Sequence, residues 1–250
     1  MADIMGIGEA LNSKVAEKAY DDILSKPAKQ AGELLEDSVQ ALRLALFPVQ
    51  VAASLQEKFE RMWLRAINAV PTERRISLQP QTIPSLLQMV GPIYERVKYM
   101  DENSVLYELF EELLARSIDN KRNPEAQPSF IHIISQLSRD EAIILLELRN
   151  NDFDLNISFG IEHETSRIID KKIEFCNFPS EKLYFPEIIE MYFDHMDKLG
   201  LIGQPKIEEK LIRDGSLHHI GIKRCFKIHL SDFGDFFVNA CVPENGFRNK

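Results

Sequence analysis

Cysteine is scarce in this chain: three in 250 residues, Cys176, Cys225 and Cys241. They are far apart and odd in number, with no CxxC and no Cys/His spacing, which excludes a disulfide framework and a zinc ribbon. Free thiols in a reducing compartment, the cytoplasm, are expected. Positive charge is also short. Thirty Lys and Arg face 39 Asp and Glu, for a net charge of −9. That excludes binding to nucleic acid by broad phosphate neutralisation and leaves room only for a local basic patch. No run of about 18 apolar residues occurs, so no transmembrane helix is expected. The first twenty residues have neither a basic n-region nor an apolar core, so no secretory leader is expected. P-loop, GxSxG, HExxH and Rossmann glycine patterns are all missing. On this reading the chain is not an enzyme: no catalytic, cofactor-binding or metal-ligating residue is nominated, no cofactor is expected, and no small-molecule substrate is identified.

What remains is an ordinary globular composition, 44% apolar and 28% charged, long enough for a sizeable core. The stretch Met100–Leu148 organises the rest. Leu106, Leu109, Phe110, Leu113 and Leu114 recur at helical spacing, as do Ile131, Ile134 and Leu137. Polar, proline-bearing turns at Asn123-Pro124 and Gln127-Pro128-Ser129 separate them. Ser138 stands three residues before Glu141, the spacing of a capping box. Asp140 and Glu141 fall in the first turn, where negative charge suits the helix dipole.

The N-terminal half reads as helical. Residues 1–25 show weak amphipathic spacing and are expected to form a mobile helix. From Pro27 to Val70 two stripes follow one another: Leu35, Val39, Leu42, Leu46, Val49, and then Leu55, Phe59, Met62, Trp63, Ala66, Ile67, Val70. Pro48 interrupts them, because it lacks a backbone donor and clashes with the preceding turn. Ala41–Leu55 is the most apolar segment, with Arg43 its only charge. Its residues Leu42, Leu46, Phe47, Val49, Val51 and Leu55 are candidates for an interface or for membrane contact on activation; burial on several sides is the plainer account. Residues 71–76 form a polar break whose Arg74-Arg75 could meet an anion or simply face solvent. Gly91-Pro92 is expected to bend or restart the helix that Pro84 opens.

Beyond Asn150 the texture changes. Asp152–Ser158 alternates like a strand, and residues 160–182 give no clear signal. Phe185-Pro186 opens a helix that Gly200 stops. Lys206–Arg213 and Ile220–Leu230 read as strands, and Ser231 caps a last helix ended by Pro243. Helix, Leu199-Gly200-Leu201-Ile202, hairpin and capped helix follow the order of winged-helix modules. The helix before the wing carries Glu187, Glu190, Asp194 and Asp197 against Lys198, a charge pattern that repels phosphate. The hairpin is mildly basic: Lys206, Lys210, Arg213, Lys223, Arg224 and Lys227 outnumber Glu208, Glu209 and Asp214, so these six are the candidate nucleic-acid contacts. Arg213 and His218 match an Arg-x4-His ribonuclease spacing, but Asp214-Gly215-Ser216 between them favours a turn.

The expected fold is therefore mainly α with a small β component: an N-terminal helical bundle over 1–137 plus a C-terminal winged-helix-like α+β domain over 138–243, with 244–250 as a flexible tail. Several local patterns together resemble the Abi-alpha family of bacterial proteins, named for abortive infection. They are Lys26-Pro27-Ala28-Lys29, Phe47-Pro48, Pro71 with Arg75-Ile76, Pro84, and Leu109-Phe110-Glu111-Glu112-Leu113-Leu114-Ala115. Pro128-Ser129-Phe130-Ile131, Gln136-Leu137-Ser138-Arg139-Asp140-Glu141-Ala142 and Leu230-Ser231-Asp232-Phe233-Gly234 with Ala240-Cys241 complete the set. The resemblance implies a context, phage defence, and carries over no catalytic residue. It fits a protein that works through a protein partner or self-association, with nucleic-acid binding by the hairpin as the alternative.

Overall fold

The computed structural model describes residues 53–76, 83–162, 167–213 and 219–248. The chain divides into two compact units. One runs up to Glu102 and takes in Leu114–Pro124; the other comprises Asn103–Leu113 and everything from Glu125. The candidates Leu42, Leu46, Phe47, Val49 and Val51 lie outside the described residues, and Leu55 falls in the first turn of the first helix described.

In the first unit, α1 (Ala53–Ala69) buries Phe59, Met62, Trp63, Ala66 and Ile67, a spacing that keeps them on one face. Phe59 meets Tyr94 of α2 (Ile83–Val97) edge to face, with ring centroids 5.2 Å apart. α2 runs through Gly91-Pro92 without a restart. Met89, Val90, Ile93, Tyr94 and Val97 are buried on both sides of the proline, and that packing outweighs the one backbone bond it removes. The polar break is tied down rather than open to an anion. Arg74 Nε donates to Asp119 Oδ1 at 3.1 Å and its Nη2 to Oδ2, while Arg75 Nε donates to the Val70 carbonyl at 3.0 Å. Burial opposes the charge on Asp119, but the hydrogen bonds from Arg74 and from nearby backbone hold its carboxyl below the usual range. Helix α3 (Val105–Ile118) contributes residues to both units.

In the second unit, α4 (Ser129–Ile134) presents Phe130 to α7 (Asp232–Cys241). There Phe233, Phe236 and Phe237 ring it at 5.8, 5.7 and 5.1 Å. α5 (Arg139–Leu148) is buried along nearly its whole length, and both halves of the capping box expected at Ser138 and Glu141 are formed. A five-stranded antiparallel sheet follows: β1 (Phe153–Ile161), β2 (Ile168–Cys176), β3 (Ile202–Gly203), β4 (Lys206–Arg213) and β5 (His219–Leu230). The order is β2-β1-β5, with β3 and β4 both paired to β5. The architecture is α+β, with five strands where sequence alternation picks out three. Phe153, Leu155 and Ile157 of β1 and Ile228 of β5 turn into the core. β2 and β4 are paired on one side only among the described residues and are almost entirely exposed.

Helix α6 (Ile189–Lys198) follows a 3-10 turn over Pro186–Ile188. Its end turns at Gly200, whose φ of +74° only glycine adopts without strain. Leu201 then crosses directly beneath α7: a Cβ on Gly234 would stand 1.7 Å from the Leu201 carbonyl oxygen. Arg149 closes the far end of α7, donating to the carbonyls of Val238, Val242 and Pro243 at 3.0, 2.5 and 2.7 Å. The sequence reads 244–250 as a flexible tail. Up to Arg248 the structure gives it anchors instead: Phe247 is buried, and Arg248 reaches Glu108 Oε2 at 3.3 Å and Glu111 Oε1 at 3.1 Å. One aromatic and one arginine suffice to dock a short polar tail.

Candidate functional site

The densest cluster of titratable groups sits at the head of α5. Asp140, 3% exposed, accepts hydrogen bonds from the Tyr184 and Phe185 backbone nitrogens at 2.9 and 3.0 Å, from the Tyr192 hydroxyl at 3.2 Å and from Arg139 at 2.8 Å. Burial opposes its ionisation, but these donors prevail and hold the carboxyl below its ordinary value. Tyr192 responds in the opposite sense: burial, and then the Asp140 charge, leave its hydroxyl pushed up to about 12. Glu141, also 3% exposed, accepts from the Ser138 backbone nitrogen at 2.6 Å through one oxygen and meets His195 Nδ1 at 2.6 Å with the other.

The two adjacent carboxylates thus clamp α6 and the loop before it onto α5. Every partner named is a backbone amide or a side chain of the same clamp. Local spacing reveals Ser138–Glu141. The reach to Tyr184, Tyr192 and His195, more than forty residues away, has no signal in local pattern.

The clamp presents α6 to solvent. Ile189, Tyr192, Phe193 and Met196 face inward. Outward lie Ile188 and Met191, with Tyr184 and Phe185 just before them; Tyr184, Phe185 and Met191 are 68%, 57% and 56% exposed. Arg139 folds over the Tyr184 ring, 3.6 Å from its centroid. Asp194 and Asp197 are exposed along the same helix, and Glu187 in the turn before it. Ile188, at the end of the 3-10 turn, is 37% exposed.

The six hairpin cations come together on β4 and β5, but with more company than the hairpin alone suggests. Lys206 and Arg224 share Glu209, at 3.0 and 2.7 Å. Lys210 pairs with Glu208 at 2.7 Å, Lys223 with Glu174 of β2 at 2.7 Å, and Lys227 with Asp152 at 3.6 Å. Arg213 is exposed at the end of β4. Glu174 and Asp152 enter from outside the hairpin, so its excess positive charge is smaller than its own sequence implies. His218 lies outside the described residues. Among the described residues no group of three or more His, Cys, Asp or Glu could hold a metal ion, and no helix is long and apolar enough to cross a membrane.

The family model of Abortive infection alpha matches residues 50–241. The chain belongs to the abortive infection alpha family. The matched span contains the clamp, α6 and the whole sheet; Lys26–Lys29 and Phe47-Pro48 precede it. Comparisons with curated proteins and with solved structures found no match.

Proposed function

We propose that this member of the abortive infection alpha family acts in phage defence, in the cytoplasm, as a non-enzymatic protein that works by contact with another protein. One observation carries the reading: the held helix α6 and the turn that leads into it offer Met191 and Phe185 to solvent at 56% and 57% exposure. Apolar side chains grouped on the surface of a fixed element suit a protein interface. The titratable groups that do converge, Asp140 and Glu141, spend their bonds on holding that element, which supports a contact role over catalysis.

The finer fold reading, a winged-helix-like module over 138–243, draws support from the succession of α6, β3 and the β4–β5 hairpin. In such a module α6 would be the reading helix, and its carboxylates favour a protein over a phosphate backbone. Membrane contact by Ala41–Leu55 on activation concerns residues almost all outside the described ones.

Expression under phage challenge tests the reading. A Phe185→Ser/Met191→Ser variant, folded by circular dichroism, is expected to lose protection, while Lys223→Glu/Arg224→Glu keeps it. Protection retained by the first variant and lost by the second, with salt-sensitive duplex binding by the unaltered chain, would instead favour a nucleic-acid regulator.

A further inference from the structure

We propose that the solvent face of α6 docks a basic, amphipathic helical segment of a partner protein. The proposal rests on the protein-contact reading above and adds the partner's chemistry.

The geometry is that of a stripe with a charged margin. The 3-10 turn places Ile188 over Phe185, with the Ile188 amide donating to the Phe185 carbonyl at 3.3 Å. Met191 follows at i+3 from Ile188, so the stripe continues onto the first turn of the helix. From Phe185 to Met191 it covers one 3-10 turn and one α-helical turn, roughly 10 Å, enough to seat about two turns of a partner helix. Glu187 in the turn and Asp194 on the helix add exposed negative charge to the same segment.

Among the described residues, three cations of neighbouring elements have partners of their own. Lys171 is paired with Glu190, and Lys182 with Glu147 at 2.8 Å. Arg139 is stacked on Tyr184 and bonded to Asp140. On the helix and the turn before it Lys198 stands against Glu187, Asp194 and Asp197, all four exposed. An apolar stripe with a negative edge attracts a helix with leucine-like anchors and lysines beside them. The same edge repels nucleic acid and anionic lipid. The Tyr192–Asp140 and His195–Glu141 bonds hold the stripe before any partner arrives, which lowers the ordering cost of binding.

The test is fluorescence anisotropy with the full chain and three labelled synthetic peptides. These are an amphipathic helix with leucines on one face and lysines on the other, its counterpart with glutamates for lysines, and a scrambled peptide of the first composition. The Leu/Lys helix is expected to bind, and the Leu/Glu helix not to. Glu187→Lys/Asp194→Lys should weaken the Leu/Lys complex by about tenfold or more, and Phe185→Ser/Met191→Ser should do likewise. Glu187→Gln/Asp194→Asn should give a smaller loss in the same direction and serves if charge reversal disturbs folding. No binding of the Leu/Lys helix, equal binding of the scrambled peptide, or affinity unchanged in the folded variants would overturn the proposal. The phage assay separates the two readings. If Phe185→Ser/Met191→Ser abolishes protection and the peptide does not bind, the contact reading stands and the basic partner falls. If the peptide binds as expected and protection is unaffected, the docking face stands and its role in defence falls.

Discussion

Asp140 and Glu141 on α5 and Glu187, Asp194 and Asp197, on α6 and the turn before it, are the same chemistry put to opposite uses. The first pair is 3% exposed and surrounded by donors; the second group stands in solvent. The difference is where donors converge. Asp140 lies where the chain before α6 turns its Tyr184 and Phe185 amides inward, so its charge is matched bond by bond. The α6 acids lie opposite Ile189, Tyr192, Phe193 and Met196, and packing that apolar face leaves them outside. A buried acid here builds the surface that the exposed acids occupy.

The sharpest way to break this comparison is to remove the buried partner. Asp140→Ala leaves two backbone amides and the Tyr192 hydroxyl without an acceptor, and should cost about 3 kcal/mol or more in a urea titration. Glu141→Gln keeps an acceptor for Ser138 but gives up the charge facing His195. It should cost about 1–2 kcal/mol by the same measurement. Acid should erode what Asp140 supplies. Its folded carboxyl is held below its unfolded value of about 3.9, so its contribution is complete above that pH and is lost as pH falls toward the folded value. The stability difference between the unaltered chain and Asp140→Asn should therefore narrow below about pH 4; subtracting the two profiles removes the parallel loss expected from Asp119. Smallest of all, Glu187→Gln/Asp194→Asn should move stability by no more than about 0.5 kcal/mol. A large loss there would mean that the outer acids are structural after all.

Much of the second unit was legible because its signals are local. Ser138 with Glu141, Gly200, and Ser231 capping α7 each work within four residues, and β1 alternates because only one of its faces is buried. β2 escaped notice for the converse reason. Residues 168–176 are exposed on both faces, so no period is imprinted on them, and Glu174 was consequently missing from the account of the hairpin's charge. The tail misled in the same way: its anchoring depends on Glu108 and Glu111, more than 130 residues earlier. The clamp was half legible. The capping box announced Glu141, while the link to His195 depends on how α6 is laid down. Exposure of Phe185 and Ile188 could not be read, since an apolar residue at the start of an amphipathic helix looks like core until the 3-10 turn is known; Met191 falls off the spacing of Ile189, Tyr192, Phe193 and Met196.

Plaque counts on cells expressing Glu141→Gln/His195→Gln test the central claim most directly, because these are the residues a catalytic account would choose. At a temperature where the variant remains folded, a scaffold role predicts protection close to that of the unaltered chain, while Phe185→Ser/Met191→Ser in the same experiment has lost it. Protection abolished by Glu141→Gln/His195→Gln in a folded protein whose α6 surface is intact would contradict the account and mark the carboxylate–histidine pair as reactive.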